Sequence, residues 1–194
     1  MDPILIGYCA KIVAEPPEWL ETEAVEEICS VSNCVSHEPD GFADANPARN
    51  AMWLFPSETA ASASVKPPDD IEDFDIFAYK LLPIVFGDEG EQLELEEGTE
   101  QSAYDSASRT AEPLPPDFEL LGYDCPNKGS ADWPQSGFEC SPLSCNGMAA
   151  EIQVNAYCLL DTLAEALVVA SRFGKEQPEP GGYYVVEVWR KSRG

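Results

Sequence analysis

Apolar positions in this chain come in short runs and brief alternations rather than long periodic stretches, and they predict a series of short elements. Residues 4–13 form an apolar run with the β-branched and aromatic content of a strand. After Pro16-Pro17, Leu20, Ala24, Val25 and Ile28 recur at helical spacing opposite Glu18, Glu23, Glu26 and Glu27, which predicts an amphipathic helix. Residues 51–55 read as a short strand and 57–64 as a short helix. Residues 78–86 read as a strand interrupted by Pro83, hence an edge strand or a bulge, because proline has no amide to give to a ladder. A further strand is predicted over 118–123.

The C-terminal pattern is the clearest. Ile152, Val154, Ala156, Cys158 and Leu160 alternate as a strand would. Thr162-Leu163-Ala164-Glu165 has the form of a capping box, in which two side chains satisfy amides that a helix start leaves unbonded. The helix is expected to run to Phe173, with Gly174 placed to end it. Residues 183–189 are a strand rich in aromatic and β-branched side chains. Together these elements predict one compact α+β domain over 1–194, with a mixed or mainly antiparallel sheet and a few short helices. Leu5-Ile6-Gly7-Tyr8 is echoed by Leu120-Leu121-Gly122-Tyr123, and Cys29-Ser30-x-x-x-Cys34 by Cys140-Ser141-x-x-x-Cys145. The offset changes between the two echoes, so we read them as coincidence rather than as a repeat.

Composition changes this picture mainly through charge. Thirty-six acids against eleven bases leave a net charge of −25. Such a surface repels phosphate backbones and anionic headgroups, which argues against nucleic-acid or membrane partners and for a basic protein partner. The charge is concentrated: residues 69–112 carry 14 acids and 2 bases. Within them, 87–112 has few large apolar residues and reads as a flexible acidic loop inserted in the domain. The first residues, Met1-Asp2-Pro3-Ile4, lack the basic start of a signal peptide, and seven cysteines are an odd number. Several of them sit in apolar patterns, as free buried thiols do, so the expected compartment is the cytoplasm.

Candidate chemistry is sparse. Four thiolates can close a tetrahedral zinc site, and Cys29, Cys34, Cys140 and Cys145 offer two pairs distant in sequence. Each pair is spaced by four residues rather than in the usual knuckle, and Cys29 lies on an apolar face, so free thiols without metal are the expectation. A cysteine nucleophile needs a base, and His37 is the one histidine, which makes Cys140, Cys145 and His37 the candidates for catalysis. No phosphate-cradling, dinucleotide-binding or nucleophile-elbow motif is present, which lowers the case for an enzyme. No cofactor is expected. Trp133, in a polar loop, and the acids Asp69, Asp70, Glu72, Asp73 and Asp75 are the candidate docking residues for a basic partner. The leading expectation is therefore an acidic binding protein: an adaptor, inhibitor or immunity-type partner of a basic protein, with nucleic-acid-binding proteins among the candidates. The alternative is a small cysteine-dependent enzyme or zinc-binding protein built on the Cys29/Cys34 and Cys140/Cys145 pairs.

Overall fold

A computed structural model describes residues 2–20, 22–32, 34–36, 49–65, 74–98, 100–127 and 138–193. Four strands form one antiparallel sheet in the order β1 (Ile4–Lys11), β2 (Asp75–Leu81), β6 (Val186–Lys191), β5 (Phe118–Asp124). A two-stranded ribbon joins β3 (Ile84–Phe86) to β4 (Gln92–Glu94). The helices are α1 (Glu58–Ser64), α2 (Glu100–Thr110), α3 (Pro142–Cys145) and α4 (Leu163–Glu176). The α+β expectation holds, and the sheet is antiparallel throughout. No helix among the described residues is long and apolar enough to cross a membrane.

The sheet is built from two halves that repeat one device. β1 breaks register between Leu5 and Gly7, and β5 breaks it between Leu120 and Gly122. Each bulge glycine has positive φ, +144° at Gly7 and +150° at Gly122. Each also lies under a turn so close that a Cβ would come within 2.6 Å of a backbone or Cβ atom. An asparagine holds that turn in both halves. Asn50 Nδ2 donates to the Ile6 carbonyl at 2.8 Å, while its Oδ1 accepts from the amides of Met52 and Leu54. Asn155 Nδ2 donates to the Leu121 carbonyl at 2.8 Å, while its Oδ1 accepts from the amides of Tyr157 and Leu159. Trp53 and Cys158 take the same left-handed position in the two turns, at φ 62° and 60°. The turns end in the paired bridges Tyr8–Phe55 and Tyr123–Leu160, and then in helices capped by Ser57 and Thr162.

The outer strand–turn–helix–inner strand unit therefore occurs twice, as β1–α1–β2 and β5–α4–β6. Tyr79 faces Gly7 on one side and Val188 on the other, and Val188 faces Tyr79 and Gly122. That is the register of a pseudo-two-fold axis through the Tyr79–Val188 pair. The Leu-x-Gly-Tyr echo is a structural repeat and not coincidence. Its companion signal in the sequence is Asn-Ala-x-x-Leu-x-x-Ser/Thr, at 50–57 and again at 155–162.

Several elements differ from the sequence expectation, each for a tertiary reason. The alternation at 152–160 does not make a strand, because Asn155 folds the segment into its turn. The helix expected after Pro16-Pro17 shortens to a 3-10 turn at Glu18–Leu20. Its amides go elsewhere: those of Glu26 and Glu27 donate to the Ala156 carbonyl at 2.8 and 3.0 Å, and that of Cys29 to Tyr157 at 3.1 Å. Leu20, Val25 and Ile28 are still buried, so the pattern marked burial but not conformation. The short strand expected at 51–55 is the Asn50 turn, with Phe55 alone in a bridge. The run at 78–86 divides at Pro83 into β2 and β3.

The expected acidic loop holds β4 and α2. Leu95, Tyr104 and Ala107 are buried on the face of the sheet carried by Phe77, Tyr79 and Val188, while Asp88, Glu89, Glu91, Glu94, Glu96, Glu97 and Glu112 are exposed. Three apolar side chains suffice because the sheet already supplies the other side of the contact. Gly174 does not end α4, which continues to Glu176 and closes at Gln177 in the left-handed conformation. The glycine is instead the point where α4 meets the Gly87 backbone, whose oxygen a Cβ would overlap.

Candidate thiol site

Two loops, one after β1 and one after β5, meet at a buried carboxylate. Asp124 ends β5 at 0% exposure. Its Oδ2 accepts from the Val31 amide at 2.8 Å, and its Oδ1 accepts from the Cys125 amide at 2.8 Å and the Ser141 hydroxyl at 2.5 Å. Burial pushes the Asp124 carboxyl up, and these hydrogen bonds with the charge of Lys11 hold it back. Lys11, the last residue of β1, is buried as well, and its Nζ donates to the carbonyls of Ser30, Val31 and Ser32 at 2.7, 2.9 and 2.7 Å. Lys11 and Asp124 thus tie residues 30–32 to the sheet from both sides, and Asp124 ties Ser141 to the same place.

What the two loops bring together is sulfur. The Sγ atoms of Cys34, Cys140 and Cys145 all lie within 4.8 Å of one another. Cys34 and Cys140 are 3.5 Å apart, and Cys145 Sγ is 3.3 Å from the Ser32 hydroxyl. Cys140 is positioned by its amide, which donates to Asn127 Oδ1 at 2.6 Å, and by its carbonyl, which accepts from the Asn127 amide at 2.7 Å. Cys145 closes the single turn of α3, with its amide on the Ser141 carbonyl at 2.8 Å. The Cys34 amide donates to Ser32 Oγ at 3.1 Å. Cys34 is exposed, whereas Cys140 and Cys145 are half-buried. The exposed ring of Trp19 lies 3.7 Å from where a Cβ on Gly147, two residues after Cys145, would stand.

The thiols titrate apart. The hydrogen bond from Cys145 is the strongest influence on Cys34 and, with one from Ser32, outweighs burial to bring its thiol down to about 7. The same bond, which Cys145 would lose on ionising, adds to burial in pushing Cys145 well above its ordinary value. Burial likewise raises Cys140. Iodoacetamide should therefore modify Cys34 first, at a rate that climbs through about pH 7 as its thiolate forms, with Cys140 and Cys145 lagging. Peptide mass spectrometry of pulse-alkylated protein reads this directly, and equal rates at the three thiols would refute it.

Three of the four sequence-predicted thiols meet, and one does not. Cys29 is buried against Arg190, 4.0 Å from its guanidinium, and burial pushes its thiol up to about 12. Asp75 lies in β2 with its carboxylate held by Arg193 at 2.5 Å and Arg190 at 3.7 Å. His37, Trp133, Asp69, Asp70, Glu72 and Asp73 lie outside the described residues. Sequence reasoning missed Lys11, Ser32, Asp124 and Ser141. A buried lysine and aspartate at the ends of otherwise apolar strands were the available signal. No family model, curated protein or solved structure matches the chain.

Proposed function

We propose that this protein binds a thiophilic divalent cation, zinc in the first place, through Cys34, Cys140 and Cys145. The observation that supports this reading is the convergence of three sulfur atoms from two loops within 4.8 Å. With zinc–sulfur bonds of about 2.3 Å, tetrahedral coordination sets neighbouring sulfurs about 3.8 Å apart. The 3.5 Å Cys34–Cys140 separation needs only a small adjustment to meet that spacing. Three protein thiolates would hold the ion and leave one coordination position to water or an outside ligand. Polar neighbours such as Ser32 and the Asp124–Ser141 pair orient the thiols, as outer-sphere hydrogen bonds do at metal centres.

Chelator-treated protein titrated with zinc should take up one ion per chain, and cobalt in its place should give a thiolate charge-transfer band. Cys34→Ser, Cys140→Ser and Cys145→Ser should each weaken binding by more than the roughly 10–100-fold that outer-sphere changes cost, while Cys29→Ala leaves it intact. No uptake, or uptake that survives the three serine changes together, would sink the reading.

The charge supports a second reading, an acidic protein that docks a basic partner. Lys80, Arg109, Arg172, Arg190, Lys191 and Arg193 each pair with a carboxylate of this chain, and after all eleven bases are counted 25 negative charges remain uncompensated. A field of that sign steers a basic partner and repels nucleic acid. Both readings suit a reducing cytoplasm, where exposed thiols stay free.

A further inference from the structure

Cys34 and Cys140 approach each other closely, from loops more than a hundred residues apart in the chain, and differ in exposure. We infer that they form a peroxide-oxidisable pair, with Cys34 the thiol attacked by solvent peroxide and Cys140 the thiol that resolves it into a disulfide. This rests on the same cluster as the metal reading and adds how that site would be controlled.

The assignment of roles follows from geometry. Cys34 is the exposed member of the cluster, whereas Cys140 and Cys145 are half-buried, so a small oxidant reaches Cys34 first. Cys140 Sγ stands 3.5 Å from Cys34 Sγ, near enough that a small movement of the two side chains closes a bond of about 2.05 Å. Cys145 is engaged differently, with its sulfur against the hydroxyls of Ser32 at 3.3 Å and Ser144 at 3.8 Å.

The chemistry balances in two steps. The Cys34 thiol takes one oxygen from hydrogen peroxide, becoming a sulfenic acid and releasing one water. The Cys140 thiol then attacks that sulfur, the S–OH bond breaks, a second water leaves, and the sulfur–sulfur bond forms. Each peroxide thus removes two hydrogen atoms from the protein. Once the disulfide exists, only Cys145 remains as a thiolate ligand, and a bound cation loses two of its three protein ligands.

The test begins with metal-free, fully reduced protein, so its outcome does not depend on whether a metal binds. One equivalent of hydrogen peroxide should remove two of the seven titratable thiols and produce a cross-linked peptide pair containing Cys34 and Cys140. Cys140→Ser should instead accumulate a sulfenic acid at Cys34, captured as its dimedone adduct, and Cys34→Ser should form no disulfide. Cys145→Ser should still form the Cys34–Cys140 bond, which separates this proposal from metal binding. A cross-link to Cys145 instead, a cross-link between chains, or no loss of thiols would each overturn it. Failure of zinc uptake with the Cys34–Cys140 cross-link intact would leave this pair standing and remove only the metal reading.

Discussion

Asp124→Ala is expected to cost about 3 kcal/mol or more in folding stability and, at roughly 2–4 °C per kcal/mol for a chain of this size, to lower Tm by about 10 °C. The carboxylate is fully buried and satisfies three donors, the amides of Val31 and Cys125 and the Ser141 hydroxyl. Alanine leaves those donors unbonded and removes the negative charge that faces the buried ammonium of Lys11. Asp124→Asn keeps the shape but presents an amide nitrogen where one of the donors needs an acceptor, so its loss should be smaller and its direction the same. Both variants should loosen the thiol cluster, because Asp124 holds both of its loops. Thermal denaturation and zinc titration check the two effects, and an unchanged Tm in Asp124→Ala would show that the carboxylate is not the anchor described here.

The second large effect is expected at Arg190. Its side chain is buried at the end of β6, with its guanidinium 2.5 Å from Glu27, 3.7 Å from Asp75 and 3.9 Å from Glu119, and stacked 5.0 Å over Tyr157. One cation thus ties the 26–29 segment to β2 and β5. Arg190→Met should destabilise the fold by about 3 kcal/mol near neutral pH, since it leaves partly buried carboxylates facing one another. The sign of the pH dependence follows from Glu27. Burial raises its carboxyl, but hydrogen bonds from Arg190 and Arg193 outweigh burial and hold it below the usual carboxylate range. A depressed folded-state pKa contributes stability that is complete above the unfolded value of about 4.3 and is lost as pH falls through the folded value. The stability gap between wild type and Arg190→Met should therefore be widest near neutrality and narrow below about pH 4. A gap that stays constant down to acid unfolding would exclude Glu27 as the partner that matters.

Much of the local structure was legible from residues alone. Thr162 and Glu165 form the capping box that their spacing announces, with both reciprocal bonds made. Ser57 caps α1 by accepting from Ala60. These devices close within three or four residues, so sequence spacing is their geometry. The Leu-x-Gly-Tyr echo was visible too, but in the sequence alone it reads as coincidence, and it became interpretable only when Gly7 and Gly122 proved to be bulges under equivalent turns held by Asn50 and Asn155. Insertions between those landmarks shift the offset, and a search for one constant period passes over the repeat.

Two kinds of feature were not legible. At 16–28 and 152–160 the apolar spacing marked burial of Leu20, Val25, Ile28, Val154, Cys158 and Leu160. The amides of Glu26 and Glu27 nevertheless donate to the Ala156 carbonyl and Asn155 folds its own segment into a turn, so neither forms the regular element that its own pattern suggests. The thiol cluster is the same problem at longer range. Spacing within Cys29-x4-Cys34 suggested that those two act together, but an apolar wall and Arg190 take Cys29, while Asp124 carries Cys34 to Cys140 and Cys145. The sequence by itself determined the charge, the capping box of α4 and many of the side chains that turn inward, because those depend on composition and on neighbours a few residues away. Only the tertiary structure decided which cysteines meet, because that depends on a buried carboxylate bonding the backbone of one loop and a side chain of another, a coincidence in space that no spacing along the chain encodes.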